Sequence, residues 1–353
     1  MKDNIVSEDI KKIAKSIKND VKKLAGKSLL ISGGAGFIGS YILATMQYLN
    51  ENILSRKCFV ISIDNYITGS PRGLIPIKSD KYITHKKHNI IKPFKTKEKI
   101  DYIIHAAGIA SPIYYRQSPL ETIDVTIQGV RNLLNLAKEK KVKSFLYFSS
   151  SEIYGDPHKQ FLPTPETYRG HVSSIGERSV YDESKRLGET ICMVYHNLYK
   201  VPIKMVRPFN VYGPGMKPTD YRVLPMFISK GFQGEPLPIH SHGNQTRTFC
   251  YISDAVTAFF KVFLSERNGE VYNVGNDDCE IKMVDLAKKV AKYIGGNVKI
   301  IKIPYPKNYP QDEPQRRYPD LTKIKKHLKY SPAVDLDAGL QRFISWYRQT
   351  YSV

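Results

Sequence analysis

Cysteine is scarce. Cys58, Cys192, Cys250 and Cys279 are the only four in 353 residues. None lies in a Cys-x-x-Cys pair or beside clustered histidines, so neither a disulfide framework nor a metal site is expected, and all four read as reduced packing residues. No apolar run approaches the roughly 20 residues of a spanning helix, and the charged N-terminus lacks the apolar core of a signal peptide; the expectation is a cytoplasmic protein with no membrane partner. Internal repeats and low-complexity tracts are missing, and a hydrophobic content of 41% is that of a folded chain. Acidic residues are in deficit, 33 against 54 basic ones, for a formal net charge of +21. The basic residues are dispersed rather than gathered with aromatics, so no nucleic-acid partner is expected. Lysines on exposed faces account for most of the excess, and its functional counterpart is attraction of small polyanions.

What is present is a glycine loop, Gly33-Gly-Ala-Gly36-Phe37-Ile38-Gly39, between the apolar run Ser28–Ser32 and a helical pattern. That is the context of a dinucleotide pyrophosphate site, with the phosphates at a helix N-terminus. About 145 residues after Gly36 comes Tyr181-Asp-Glu-Ser-Lys185. A phenol four residues before an ammonium on a helix points both into one site, where the cation is expected to lower the phenol's pKa and make a base for an alcohol proton.

Residues 7 to 25 carry an apolar stripe at Ile10, Ile13, Ile17, Val21 and Leu24, with Ser7 as expected N-cap. This basic amphipathic helix is expected to pack on its own domain or at a subunit contact. From residue 28, apolar runs at Leu29–Ser32, Cys58–Asp64, Tyr102–Ala106, Ser144–Ser149 and Ile203–Pro208 alternate with helical stretches. The spacing predicts an α/β fold, a Rossmann-type doubly wound parallel sheet with ligands at the carboxyl ends of its strands. Asp64 closes the second run, where a carboxylate accepts ribose hydrogen bonds and repels a 2'-phosphate. NAD is therefore favoured over NADP, with Asn65 and Ala106 beside it. The long gap from Gly39 to Asp64 is assigned to an enlarged loop over Leu49–Lys57. Beyond about residue 212 the alternation weakens, although Val271–Gly275 reads as one more strand. The division is 1–26 for the helix, 27–211 with 250–275 for the NAD-binding domain, and 212–249 with 276–353 for a smaller interleaved α/β substrate-binding domain.

With Ser149-Ser-Ser-Glu152-Ile-Tyr154-Gly155 and Arg207-Pro-Phe-Asn210-Val-Tyr-Gly-Pro214 in order with the first two motifs, residues 27 to 348 resemble the extended short-chain dehydrogenase/reductase family of nucleotide-sugar enzymes. In relatives that are 4,6-dehydratases an aspartate precedes the glutamate; here Ser151 takes its place. Ser150-Ser151-Glu152, the Ser111-Pro-x-x-Tyr115 stretch, the approach Gly170-His-Val through Arg178 to Tyr181, and Asp312-Glu-Pro-Gln-Arg-Arg317 are similar to UDP-glucuronate decarboxylases. The resemblance implies NAD as cofactor, a UDP-sugar substrate and a homodimer built from the helices after Gly129 and Tyr181. It implies Ser150, Tyr181 and Lys185 as catalytic groups, Glu152 for the proton at C5 and Arg317 on the sugar carboxylate. Ser111, Tyr115, Asn210 and Arg222 fall at the nucleotide sugar, with Arg247 as diphosphate clamp. Two departures, Ser70–Pro76 after Asp64 and Gly215 where those enzymes have arginine, lie near cofactor or sugar contacts. Rival readings are a C4 epimerase, an atypical 4,6-dehydratase and a catalytically idle NAD-bound scaffold. His105, ending a strand, reads as a hydrogen-bonded core residue.

Overall fold

The computed structural model describes residues 4–68, 75, 77, 81–305 and 313–351. Its central sheet is built from β1 (Ser28–Ser32), β2 (Phe59–Asp64), β3 (Ile83–Lys87), β4 (Tyr102–His105), β5 (Ser144–Phe148), β6 (Ile203–Pro208) and the strand Glu270–Val274. All are parallel, in the order Glu270–Val274, β6, β5, β4, β1, β2, β3. The predicted strands match within one residue at each end. β3 went unread because it is an edge strand in which only Ile83 is buried, so it lacks the apolar run that marks its neighbours.

The two-residue period of the strands divides their side chains between two cores. Leu29, Ile31, Tyr102, Ile104, Leu146 and Phe148 face one, with α1 (Ile5–Ser16) and α2 (Phe37–Asn52). Leu30, Ile61, Ile103, Phe145 and Tyr147 face the other. The chain reverses direction across the sheet between β1 and β4. A crevice opens there at the strands' carboxyl ends, and both candidate sites lie along it.

Two local expectations are corrected. The N-terminal helix is capped by Asn4, whose Oδ1 accepts from Ser7 N at 2.9 Å, and Ser7 lies buried inside the first turn. The helix stops at Ser16 and a short 3-10 turn, Asp20–Leu24, follows, yet all five stripe residues are fully buried within the chain's own core. The gap after Gly39 holds no enlarged loop: α2 runs on to Asn52, and Asn50 bonds both backbone groups of Cys58, at 2.9 and 2.8 Å. Leu49 is a core residue of that last turn. The departure at Ser70–Pro76 and Asp312 fall almost wholly outside the described residues, Ile75 excepted.

Asp9 ties the two ends of the chain together. Its Oδ1 accepts from Arg342 Nη2 at 2.9 Å, and its Oδ2 accepts from Tyr251 OH at 2.8 Å and Tyr41 OH at 3.3 Å. Among the described residues no helix is long and apolar enough to cross a membrane. Replacing Asp9 by alanine leaves two buried hydroxyls without this acceptor and is expected to cost about 2 kcal/mol in urea unfolding. Glu8→Ala, at the exposed end of the same arginine, should cost under about 1 kcal/mol. Equal losses would refute the latch.

Candidate functional site

The cofactor end of the crevice is shaped by glycines that no other residue can replace without moving backbone. A Cβ on Gly39 would lie 2.1 Å from the Gly33 carbonyl oxygen. At Gly33, φ is +79° and a Cβ would meet the Ala106 and Ala107 backbone at 2.6–2.7 Å. Gly36 caps α2, and Phe37 and Ile38 begin it with no acidic side chain in the first turn. The free N–H groups of that turn therefore face the crevice as an anion site. Asp64 ends β2 and accepts from Ala35 N at 2.9 Å and from Tyr66 N at 2.8 Å. These bonds fix the carboxylate at the rim of a cavity walled by Gly33, Gly36, Asp64, Asn65 and Ala106. Asn65 spends its side-chain oxygen on Ile67 N, at 3.1 Å. A glycine cradle, a helix N-terminus and a strand-end carboxylate in this order fit an adenine dinucleotide.

Farther along, α3 (Pro112–Gln117), α4 (Pro119–Lys140) and α5 (Ser179–Tyr199) bring the Tyr-x-x-x-Lys pair to the sheet. Tyr181 stacks on Tyr115 with ring centres 5.5 Å apart, and Ser150 hydrogen-bonds its phenol. Lys185 Nζ donates to the Phe148 carbonyl at 2.8 Å and lies 5.7 Å from the Tyr181 ring centre. Here an expectation fails. Burial, followed by the charges of Glu152 and Asp182, pushes Tyr181 up to about 12 against the opposing Ser150 hydrogen bond and Arg222. The ammonium gives one of its three hydrogens to a backbone carbonyl and is itself lowered to about 8 by burial. His105 is the core residue expected, bonded to Ser32 Oγ at 2.7 Å and kept neutral by burial.

The sugar end is a cleft of about 500 Å³ whose walls include Tyr115, Tyr181, Asn210, Arg222, Arg247 and Arg317. Its floor holds three buried arginines and two carboxylates. Arg317 grips Glu152 in a two-point ion pair, 2.5 and 2.6 Å, and Arg178 reaches both Glu152 and Glu313. Arg247 Nη2 donates to Glu313 Oε1 at 2.7 Å. Burial would raise Glu313, but Arg178, Arg317 and Arg247 together hold it below the ordinary carboxylate range. Glu152 and Arg317 thus lie together, as the sequence placed them, but bound to each other. Asn210, at a φ of +38°, donates to the Thr248 carbonyl at 2.8 Å, and Arg222 is paired with Asp220. The hydroxyls of Ser111 and Tyr115 and the Nε of Arg317 are buried without a hydrogen-bond partner among the described residues, whereas Arg178 Nε faces Asp182 Oδ2 at 3.6 Å.

Sequence reasoning passed over Arg178 and Glu313 as site residues. Arg178 stands one turn before Tyr181 and so shares its face, a signal that was available. Glu313 carried none beyond its place in a basic motif. Among the described residues no cluster could hold a metal ion.

The sequence matches the NAD dependent epimerase/dehydratase family over residues 29–275. It is 41% identical over 315 residues to UDP-glucuronic acid decarboxylase 5 of Arabidopsis thaliana, covering 88% of this chain and 86% of the plant protein. Identity to UDP-glucuronic acid decarboxylase 1 of Xenopus tropicalis is 35%, covering 92% and 72% of the two chains. The structure is similar to UDP-glucuronic acid 4-epimerase from Bacillus cereus, solved in complex with NAD, with a TM-score of 0.77, 27% identity and coverage of 92% and 98%. Epimerase Mth375 of Methanothermobacter thermautotrophicus gives a TM-score of 0.81 at 26% identity, covering 96% and 97%.

The Lys185 ammonium has a stability consequence whose sign is fixed. Its folded value of about 8 lies below the ordinary 10.5, so between the two the unfolded chain holds the proton and stability rises with pH. Below about 8 the buried charge is a net cost. Lys185→Met is expected to be more stable than wild type near pH 7, by roughly 1–3 kcal/mol, with the advantage fading by about pH 10. Melting curves at both pH values check this, and a variant less stable near pH 7 would refute it.

Proposed function

Because the chain belongs to the NAD dependent epimerase/dehydratase family, we propose that it decarboxylates UDP-glucuronate through transient oxidation at C4. The product is UDP-xylose or its 4-keto precursor. NAD is the cofactor. The observation that carries this reading is the turn Ser150-Ser151-Glu152, which has no aspartate for eliminating a hydroxyl but has Glu152 beside Tyr181, joined to Arg317 and Arg178. The resemblance to decarboxylases from plant and animal supports it.

Bound NAD supplies the hydride acceptor and, in its oxidised form, a positive charge near the phenol. Tyr181 takes the C4 hydroxyl proton, with Ser150 hydrogen-bonded to the same oxygen. The resulting ketone is β to the sugar carboxylate, so CO2 leaves with its bonding electrons passing into an enolate. Ser150 and Tyr181 hold that enolate oxygen by donated hydrogen bonds. Glu152 handles the proton added at C5, and Arg317 orients the carboxylate before it leaves. Residues 27–211 with 250–275 form the cofactor domain in this reading. The part comprising 212–249 and 276–353 forms most of the sugar-nucleotide side, which is supported by Leu224, Ile239, Gln245, Arg247 and Met283 lining the cleft.

A homodimer is the assembly this reading favours. Leu187, Val194 and Leu198 form an exposed apolar stripe along α5, spaced as one helix face, and α4 packs beside it. Two such pairs would bury each other as a four-helix bundle. Val194→Lys with Leu198→Lys is expected to sediment as a monomer where wild type sediments as a dimer; a monomeric wild type would refute the assembly.

The activity test uses UDP-glucuronate labelled at its carboxyl carbon. Wild type with NAD should release labelled CO2, and Tyr181→Phe should be slower by about a thousandfold. No CO2 despite UDP-sugar binding would sink the decarboxylase. Formation of UDP-galacturonate instead would favour the epimerase reading that the Bacillus cereus structure suggests.

A further inference from the structure

Arg247, the proposed diphosphate clamp, has no Nη hydrogen to spare. Its Nη1 donates to the carbonyls of Thr246 and Gln315, at 2.9 and 3.3 Å, and its Nη2 donates to Glu313 Oε1 and the Pro314 carbonyl, at 2.7 and 2.8 Å. Four Nη hydrogens meet four acceptors from its own chain, three of them in the segment 313–315.

These acceptors are not equally fixed. The Gln315 carbonyl also accepts from Thr246 N at 3.0 Å, where Arg316 and Arg317 pair with Thr246 and Arg247, and Gln315 N donates to Asp156. That part of the segment is anchored. The Glu313 side chain has no such backbone anchor, and it is about one-fifth exposed toward the cleft, whereas the three arginines it serves are each less than one-tenth exposed. It is also a charged group held by two guanidiniums, Arg178 and Arg247. A diphosphate brought to Arg247 would set like charge against Glu313 beside the buried guanidiniums, where repulsion is less screened than in bulk water.

We propose that Glu313 is an internal anion that holds the place of the substrate's diphosphate on Arg247 and leaves it when a nucleoside diphosphate binds. The inference rests on Arg247 being the diphosphate contact, but it does not depend on decarboxylation. Glu313 shares in neutralising Arg178 and Arg247 while the cleft is free of nucleotide, and it sets a threshold that only a ligand with its own anionic group can meet. It is a specificity residue acting through Arg247, not a catalytic one.

The test is binding of UDP, which cannot react, measured by calorimetry on wild type, Glu313→Gln and Glu313→Ala. Removing the competing charge should tighten UDP by about tenfold, as expected when a protein no longer has to leave a closed state before binding. The same variants should melt at a lower temperature without nucleotide, because the arginines lose a counter-charge. That opposite movement of stability and affinity is what a merely structural role would not produce. UDP affinity that is unchanged or weaker in a folded variant overturns the proposal. So does tightening for UDP-glucuronate without tightening for UDP, which would make the sugar carboxylate the competitor. Should neither variant fold, a crystal structure of wild type with UDP decides. A phosphate oxygen on Arg247 with Glu313 displaced supports the inference, and Glu313 still bonded to Arg247 overturns it. Loss of CO2 release with UDP binding as described would sink the proposed reaction alone.

Discussion

Charge withdrawn from water has to be compensated on the spot, and the floor of the cleft beside Tyr181 concentrates such charge. Arg178, Arg247 and Arg317 are buried together, and each would be untenable without the two carboxylates that thread between them. Glu152 comes from the turn after β5, Arg178 from the start of α5, Arg247 from a short strand and Glu313 with Arg317 from the segment near residue 315. The ion network therefore joins the central sheet to the later segments of the chain that wall the cleft. Asp182, 3.6 Å from Arg178 Nε, adds a third carboxylate, so an incoming anion meets a cluster whose charges already balance.

How much of this was legible follows from the distance over which each signal acts. Apolar runs at two-residue and helical periods are local, so the sheet, the long helices and the glycine loop could be read directly, and Asp64 could be placed at a strand end before any coordinates. The exceptions were local too. Asn4 caps a helix assigned to Ser7 because either side chain can serve as a cap. The polar edge strand Ile83–Lys87 has almost no buried face to announce it. Leu49 was taken into a loop although α2 continues past it.

The candidate site divides the same way. Tyr181 and Lys185 are one turn apart, and their proximity is written in the spacing. Arg178 and Glu313 meet across 135 residues, and Arg317 meets Glu152 across 165. No period or spacing reports such a pairing. The motif resemblance brought Arg317 and Glu152 into one site, but it assigned them to the substrate and the proton at C5, and it could not say that each would first bind the other. Nor could it weigh burial: the phenol was expected to be lowered by its lysine, whereas desolvation dominates and drives Tyr181 upward.

That reversal bears on how the two ends of the crevice work together. With Tyr181 near 12 and Lys185 near 8, the order of proton affinities in the protein alone is wrong for a base at neutral pH: the phenol keeps its proton and the ammonium is the weaker holder. A positive charge arriving at the dinucleotide end acts on the phenol in the direction that burial opposes. At the other end, in the exchange proposed above, a diphosphate would meet an arginine already satisfied by Glu313. The cofactor thus corrects a charge imbalance that burial alone creates, by supplying a cation beside Tyr181, whereas a diphosphate at Arg247 would exchange one anion for another. A site of this kind has little reason to act on a hydroxyl before the cofactor is bound, because the deprotonated phenol is stabilised only once the cofactor's charge is in place. The fold's contribution is to bring both ligands to one crevice, whose cleft Tyr181 lines.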